Sequence, residues 1–133
     1  MMRVRKILVL GSAIVLLTAG LAYGAEPIKI GSVLRLSIGA EHGIPSQRGV
    51  EMAVAEVNKA GGINGRQVEV IFEDEKDSPA ASVNAVQKLI NVDKVVALVG
   101  PMTSGGMIAA GKIANDAKVV EISPTATTPK LSG

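Results

Sequence analysis

The 133-residue chain has no cysteine and no tryptophan. Without cysteine there can be no disulfides and no thiol catalysis. There is also no cysteine to carry a lipid at the head of an exported chain. His42 is the single histidine, too few partners for a metal site, which needs a cluster of ligands. Aromatic residues are almost missing: Tyr23 and Phe72 are the whole set. Any core must therefore be built from Val, Ile, Leu, Met and Ala. Two nucleotide signatures are absent as well. No G-x-G-x-x-G follows the first apolar strand pattern, and no Walker A motif occurs anywhere. No cofactor is expected.

What the amino end does contain is a leader. Arg3, Arg5 and Lys6 precede an uncharged apolar run over residues 7–21, and Ala22 and Gly24 place small residues before Ala25. This is the pattern of a cleavable signal peptide covering residues 1–24. The competing reading is a membrane anchor, but the run is shorter than the roughly 20 residues a spanning helix needs. Cleavage is expected between Gly24 and Ala25. The leader carries three of the 14 basic residues and none of the 12 acidic ones, so the remainder has a formal net charge of −1. The basic character of the whole chain belongs mainly to its leader. No nucleic-acid partner is expected. Export without an anchor favours a periplasm between two membranes, with full secretion as the alternative.

The remaining residues, 25–133, are enough for one modest domain. Residues 28–34 alternate and then turn apolar, a buried strand. Residues 37–46, with two glycines and a proline, read as a loop. Val50, Ala53, Val54 and Val57 lie on one helical face. Gly61-Gly62 ends that helix, because glycine accepts the left-handed conformation cheaply, and one of the two is expected at positive φ. Residues 67–72 form a second strand. Ser78 can cap a second helix that has Pro79 at its first position. Strands over 95–99 and 119–122 flank a third helix over 104–117. The β-α-β-α-β-α-β order predicts an α/β fold with a three-layer α/β/α arrangement around a parallel sheet. Ligands of such sheets bind beyond the carboxyl ends of the strands.

Three loops lie there. The first after-strand loop holds His42, more often a surface residue than a ligand. The loop Gly100-Pro101-Met102-Thr103-Ser104-Gly105-Gly106 runs into the third helix. Its free N–H groups and partial positive charge attract an anion such as a carboxylate. Alternatively, Ser104 only caps its own helix. The loop Ser123-Pro124-Thr125-Ala126-Thr127-Thr128-Pro129 offers hydroxyls and backbone groups to a ligand, or is an ordinary polar loop. Glu73, Asp74, Glu75 and Asp77 follow strand two. Paired carboxylates can do acid–base work, but these lack a partner of matched role and read as a solvated turn with Glu75 exposed.

Several motifs recur in one order: Gly49-Val50-Glu51-Met52-Ala53, then Val57-Asn58-Lys59-Ala60-Gly61-Gly62-Ile63-Asn64-Gly65-Arg66, then residues 74–79, Gly100-Pro101 with Ser104, and Ile122-Ser123-Pro124-Thr125-Ala126-Thr127. Together they make residues 28–133 resemble the start of periplasmic solute-binding proteins of the leucine/isoleucine/valine type, which have the type I periplasmic binding protein fold. The resemblance implies a non-catalytic, substrate-binding component of an ABC importer for branched-chain or other amino acids or related small carboxylates. Its partner would be a permease in the inner membrane. It also implies two lobes, of which residues 25–133 would be an incomplete first. The position of Ser104 would hold a ligand α-carboxylate. The carbonyl of Thr125 would meet the α-ammonium, and Thr127 would offer hydroxyl and N–H groups. Met102, Thr103 and His42 complete the expected ligand-binding set, His42 standing where relatives often place an aromatic residue. A sensory ligand-binding domain of the same fold and a non-functional fragment are the alternatives. A nucleotide-dependent enzyme is disfavoured by the missing glycine fingerprint.

Overall fold

A computed structural model describes residues 26–132. The expected leader and its cleavage site lie outside the described residues. The elements are β1 (Ile28–Leu34), α1 (Ala40–Lys59), β2 (Val68–Asp74), α2 (Pro79–Asn91), β3 (Ala97–Val99), α3 (Ser104–Asp116) and β4 (Val120–Ile122), followed by a 3-10 turn at Pro129–Leu131. All strands are parallel, in the order β2-β1-β3-β4. The chain steps outward from β1 to β2, then crosses back over β1 to β3. Right-handed crossovers in opposite directions put their helices on opposite faces. Accordingly α1 covers one face, while α2 and α3 share the other.

The α2/α3 face holds the core. Val33, Val86, Leu89, Leu98 and Ala110 are buried together there. Gly31 belongs to the same packing: a Cβ on it would stand 2.7 Å from Leu98 and 2.8 Å from Leu89. On the other face, Val50, Ala53, Val54 and Val57 of α1 face Ile30, Val68, Val70 and Val99 across an apolar cavity of ≈ 270 Å³.

The end of α1 closes as the double glycine predicts. Gly61 N–H donates to Asn58 O at 3.1 Å and Gly62 N–H to Val57 O at 2.9 Å, the paired bonds of a Schellman motif. Both glycines have positive φ, 100° and 78°. Asn64 and Gly65 then make a tight turn with two left-handed residues. It returns the chain to β2. The Asn58 side chain bridges helix and strand. Its Nδ2 donates to Val68 O at 2.9 Å, and its Oδ1 accepts from Val68 N–H at 2.7 Å. Ser78 caps α2 and Pro79 opens it, also as expected.

Two expectations need correction. The glycine- and proline-containing segment 37–46 is mostly helix, not loop, because α1 begins at Ala40. Gly43 serves close approach there rather than turning: a Cβ on it would lie 1.8 Å from Arg35 O. Pro45 costs the helix one N–H donor, while the neighbouring Ser46 Oγ donates to His42 O at 2.9 Å. The third strand is also shorter than its apolar run. Lys94 takes a left-handed conformation, and Val95 N–H bonds Leu89 O at the end of α2. Val95 is therefore buried as part of a helix-to-strand junction.

Candidate functional site

The strand order reverses direction between β1 and β3. Loops leaving these two strands diverge and leave a crevice at their carboxyl ends. A cleft of ≈ 610 Å³ opens there, lined by Arg35, Glu41, His42, Pro45, Ser46, Met102, Thr103, Ser104 and Thr125. Gly100 lets the strand ends approach, since a Cβ on it would lie 2.1 Å from Val33 O.

The amino end of α3 forms one wall. Thr103 caps it: its Oγ1 accepts the Gly106 N–H at 3.1 Å. Ser104 is the first helical residue and does not cap. Its Oγ instead accepts the Thr127 N–H from the neighbouring loop at 3.3 Å. The sequence left open whether Ser104 serves only as a cap; that task falls to Thr103. The loop after β4 is tied to the same wall. Ser123 Oγ donates to Pro101 O at 2.7 Å and accepts the Ala126 N–H at 3.0 Å, and Thr125 Oγ1 donates to Met102 O at 2.7 Å. The two loops that sequence singled out thus form one hydrogen-bonded unit.

His42 enters from the opposite wall. It lies in the first turn of α1, its side chain 66% exposed, with Nε2 3.9 Å from Glu41 Oε1. The expected residues His42, Met102, Thr103, Ser104 and Thr125 meet in one cleft, and Thr127 touches it through Ser104. Thr103 is the odd member, because its hydroxyl is already occupied. It donates to Glu75 Oε2 at 3.2 Å while accepting from Gly106.

The acidic turn after β2 is solvated only in part: Asp77 is exposed as expected, but Glu75 is not. Its side chain is fully buried. It receives the Thr103 N–H at 3.2 Å and the Thr103 hydroxyl, and Ser82 Oγ lies 3.3 Å from it. Burial pushes its carboxyl above the usual range, with the Thr103 and Ser82 hydrogen bonds and the charge of Arg35 opposing. Asp74 behaves oppositely. Burial would raise it, but hydrogen bonds from the Ser37 hydroxyl and the N–H groups of Lys76 and Leu36 outweigh this and hold it below the ordinary value. Asp77 pairs with Arg35 at 3.2 Å. The polarity of the run concealed that it packs under two helix ends. Arg35 was also missed. Its signal was a charge inside the apolar run Val33-Leu34-Arg35-Leu36, at a strand's carboxyl end. Glu41, Pro45 and Ser46 line the cleft from the first turns of α1, where glycine and proline disguise the helix as a loop. Among the described residues no group of three His, Asp or Glu is placed to hold a metal ion.

A parallel α/β unit with a polar cleft at its switch point, one wall a helix amino end, is the architecture of a class of proteins that can hold small anionic or zwitterionic molecules. Residues 27–133 match the family of periplasmic binding proteins, and the chain belongs to that family. It is 36% identical over 93 residues to the leucine-, isoleucine-, valine-, threonine- and alanine-binding protein of Pseudomonas aeruginosa, covering 70% of this chain and 25% of that one. It is 32% identical over 115 residues to the chemotactic signal transduction system substrate-binding protein BasB of Halobacterium salinarum, covering 80% and 27%. Among solved structures, the branched-chain amino acid transporter substrate-binding protein LivJ of Streptococcus pneumoniae, in complex with isoleucine, superposes with a TM-score of 0.76. It shares 42% identity and is covered to 31%, against 80% of this chain. The chain spans about a quarter of the length of the curated relatives it matches.

Proposed function

We propose that residues 25–133 act as the first lobe of an exported, two-lobe binding protein that captures an amino acid or a related small carboxylate for an ABC importer. The leader at residues 1–24 sends it to the periplasm, and a membrane permease receives the loaded form. One observation carries the reading: Ser104 stands at the amino end of α3 with its hydroxyl released from capping and facing the cleft. A ligand α-carboxylate there accepts the Ser104 hydroxyl hydrogen and meets the free N–H groups of the helix end. The Thr125 carbonyl accepts from the α-ammonium, and the Thr127 hydroxyl and N–H serve the rest of the polar group. His42 and Met102 flank the ligand side chain. Thr103 acts as the cap that fixes the wall.

Calorimetry with L-isoleucine tests this in a version of the protein that carries both lobes. Ser104→Ala weakens binding about ten- to hundred-fold, the value of one hydrogen bond to a charged group. The chain alone binds with a Kd of about 1 mM or weaker, since half a cleft leaves the ligand's far side in water. Tight binding by the chain alone would overturn the two-lobe reading. Unchanged affinity in Ser104→Ala would reduce that serine to an ordinary helix residue.

The likeness to a chemotactic substrate-binding protein supports a second reading, in which the same cleft serves a signalling receptor. The two differ in the membrane partner that co-purifies with the loaded protein.

A further inference from the structure

We propose that Glu75 is a positioning residue of the cleft: its buried carboxylate holds Thr103 by both backbone and side chain, and so sets the start of α3 and the direction of Ser104. The inference rests on the cleft reading for its meaning, but the test below uses no ligand, so the two can fail separately.

Glu75 is the only carboxylate among the described residues that is completely buried, and the groups that hydrogen-bond it belong to two helix starts. Thr103 N–H approaches Oε1 at 3.2 Å, and the Thr103 hydroxyl approaches Oε2 at 3.2 Å. Thr103 is the cap of α3. Ser82, in the first turn of α2, lies 3.3 Å from Oε2. Its one hydroxyl hydrogen is shared with Ser78 O, the cap residue of that helix, at 3.1 Å. Two helix amino ends therefore converge on one carboxylate, and each places a partial positive charge beside it. The two ends touch closely: a Cβ on Gly106 would stand 2.5 Å from Ser82 Oγ.

The backbone is bent to deliver this side chain. Lys76 and Asp77, immediately after Glu75, both take left-handed conformations, with φ of 49° and 50°. Each is a strained conformation for a residue with a Cβ. That strain is retained in a turn whose flanking carboxylates also hold the cleft. Asp74 accepts the Leu36 N–H and the Ser37 hydroxyl from the loop after β1, and Asp77 pairs with Arg35. One turn on the edge strand thereby braces both walls.

A neutral amide cannot replace the carboxylate. Glutamine offers one accepting oxygen where Thr103 brings two donors, and its NH₂ would face a donor. Protonation of Glu75 weakens the clamp in the same way. The charged groups near it are Arg35 from the end of β1 and Asp74, Lys76 and Asp77 on its own turn. The first turns of α2 and α3 carry no acidic residue and, by sequence, no basic one.

The test is ¹⁵N NMR of the chain across pH. In the parent, the Thr103 and Gly106 amide signals move in one step whose midpoint lies above the ordinary glutamate value. Glu75→Gln abolishes the step and displaces the Ser104 and Gly105 signals, while those of Val33 and Leu98 stay in place. Should Glu75→Gln fail to fold, Ser82→Ala removes one donor without touching Thr103 and moves the same midpoint upward. A parent chain whose Thr103 amide does not titrate would overturn the proposal. So would a folded Glu75→Gln variant with parental signals at residues 103–106, or a Ser82→Ala variant with an unmoved midpoint.

Discussion

The two faces of the sheet are made of the same residue types but packed to different degrees. On the α2/α3 face, Val33, Val86 and Leu89 have no exposed surface. On the α1 face, Val57 keeps 38% of its surface, and beyond α1 the β4 residues Val120 and Ile122 keep 62% and 64%. Hydrophobic stabilisation follows the area removed from water, so the two faces contribute unequally. What distinguishes them is helix number. Two crossovers lay α2 and α3 side by side over β1 and β3, whereas α1 alone must cover the other face. The site sits where these unlike halves meet, at the carboxyl ends of the two central strands.

Substitutions on the two faces test how unequal they are. The largest effect is expected at the centre of the packed face. Leu89→Ala lowers unfolding stability by about 2–5 kcal/mol in a denaturant titration, because it removes a fully buried side chain and leaves a cavity. A loss near that of an α1 substitution would end the distinction between the faces. Next comes the turn that carries α1 into β2. Gly62→Val costs about 2 kcal/mol or more, since a Cβ there would stand 2.0 Å from Arg66 O in addition to the positive φ. Gly61→Val has open space around it and costs only the backbone term, roughly 1 kcal/mol.

A third test uses pH. Glu121 lies on the packed side, half-buried, with Oε1 lacking any hydrogen-bond partner. Burial pushes its carboxyl up to about 7. The folded chain therefore holds that proton more tightly than the unfolded one. Stability falls as pH rises from the ordinary glutamate value through about 7, and the loss is complete above it. Thermal melts of Glu121→Gln against the parent should diverge over that interval, reaching about 1–2 kcal/mol once solvent screening of the partly exposed group is allowed for. Parallel pH profiles would refute the burial argument. The smallest effect is Val57→Ala, below about 1 kcal/mol, as expected for a side chain already partly in water.

Much of this was legible in the residues themselves. Glycines that end a helix, a serine–proline helix start and apolar periodicity are local signals, and they located the order of elements and the two loops of the cleft. What escaped notice depends on long-range contact. Gly43 resembles a turn glycine until Arg35 O lies against the position of its missing side chain. Ser104 and Thr103 are both good caps, and only the folded geometry divides the roles between them. Glu75 sits in the most polar stretch of the chain, so no hydrophobic pattern could announce that two helix starts close over it.

The proposed binding of an amino acid carboxylate at the amino end of α3 is open to a ¹⁵N NMR titration of the chain with L-isoleucine. Progressive shifts are expected at residues 103–106 and 125–127 and at His42, with the signals of Val54 and Val57 on the α1 face unmoved. Shifts confined to the apolar α1 face, or none at residues 103–106 at tens-of-millimolar ligand (a range that spans the weak binding expected of half a cleft), would contradict it.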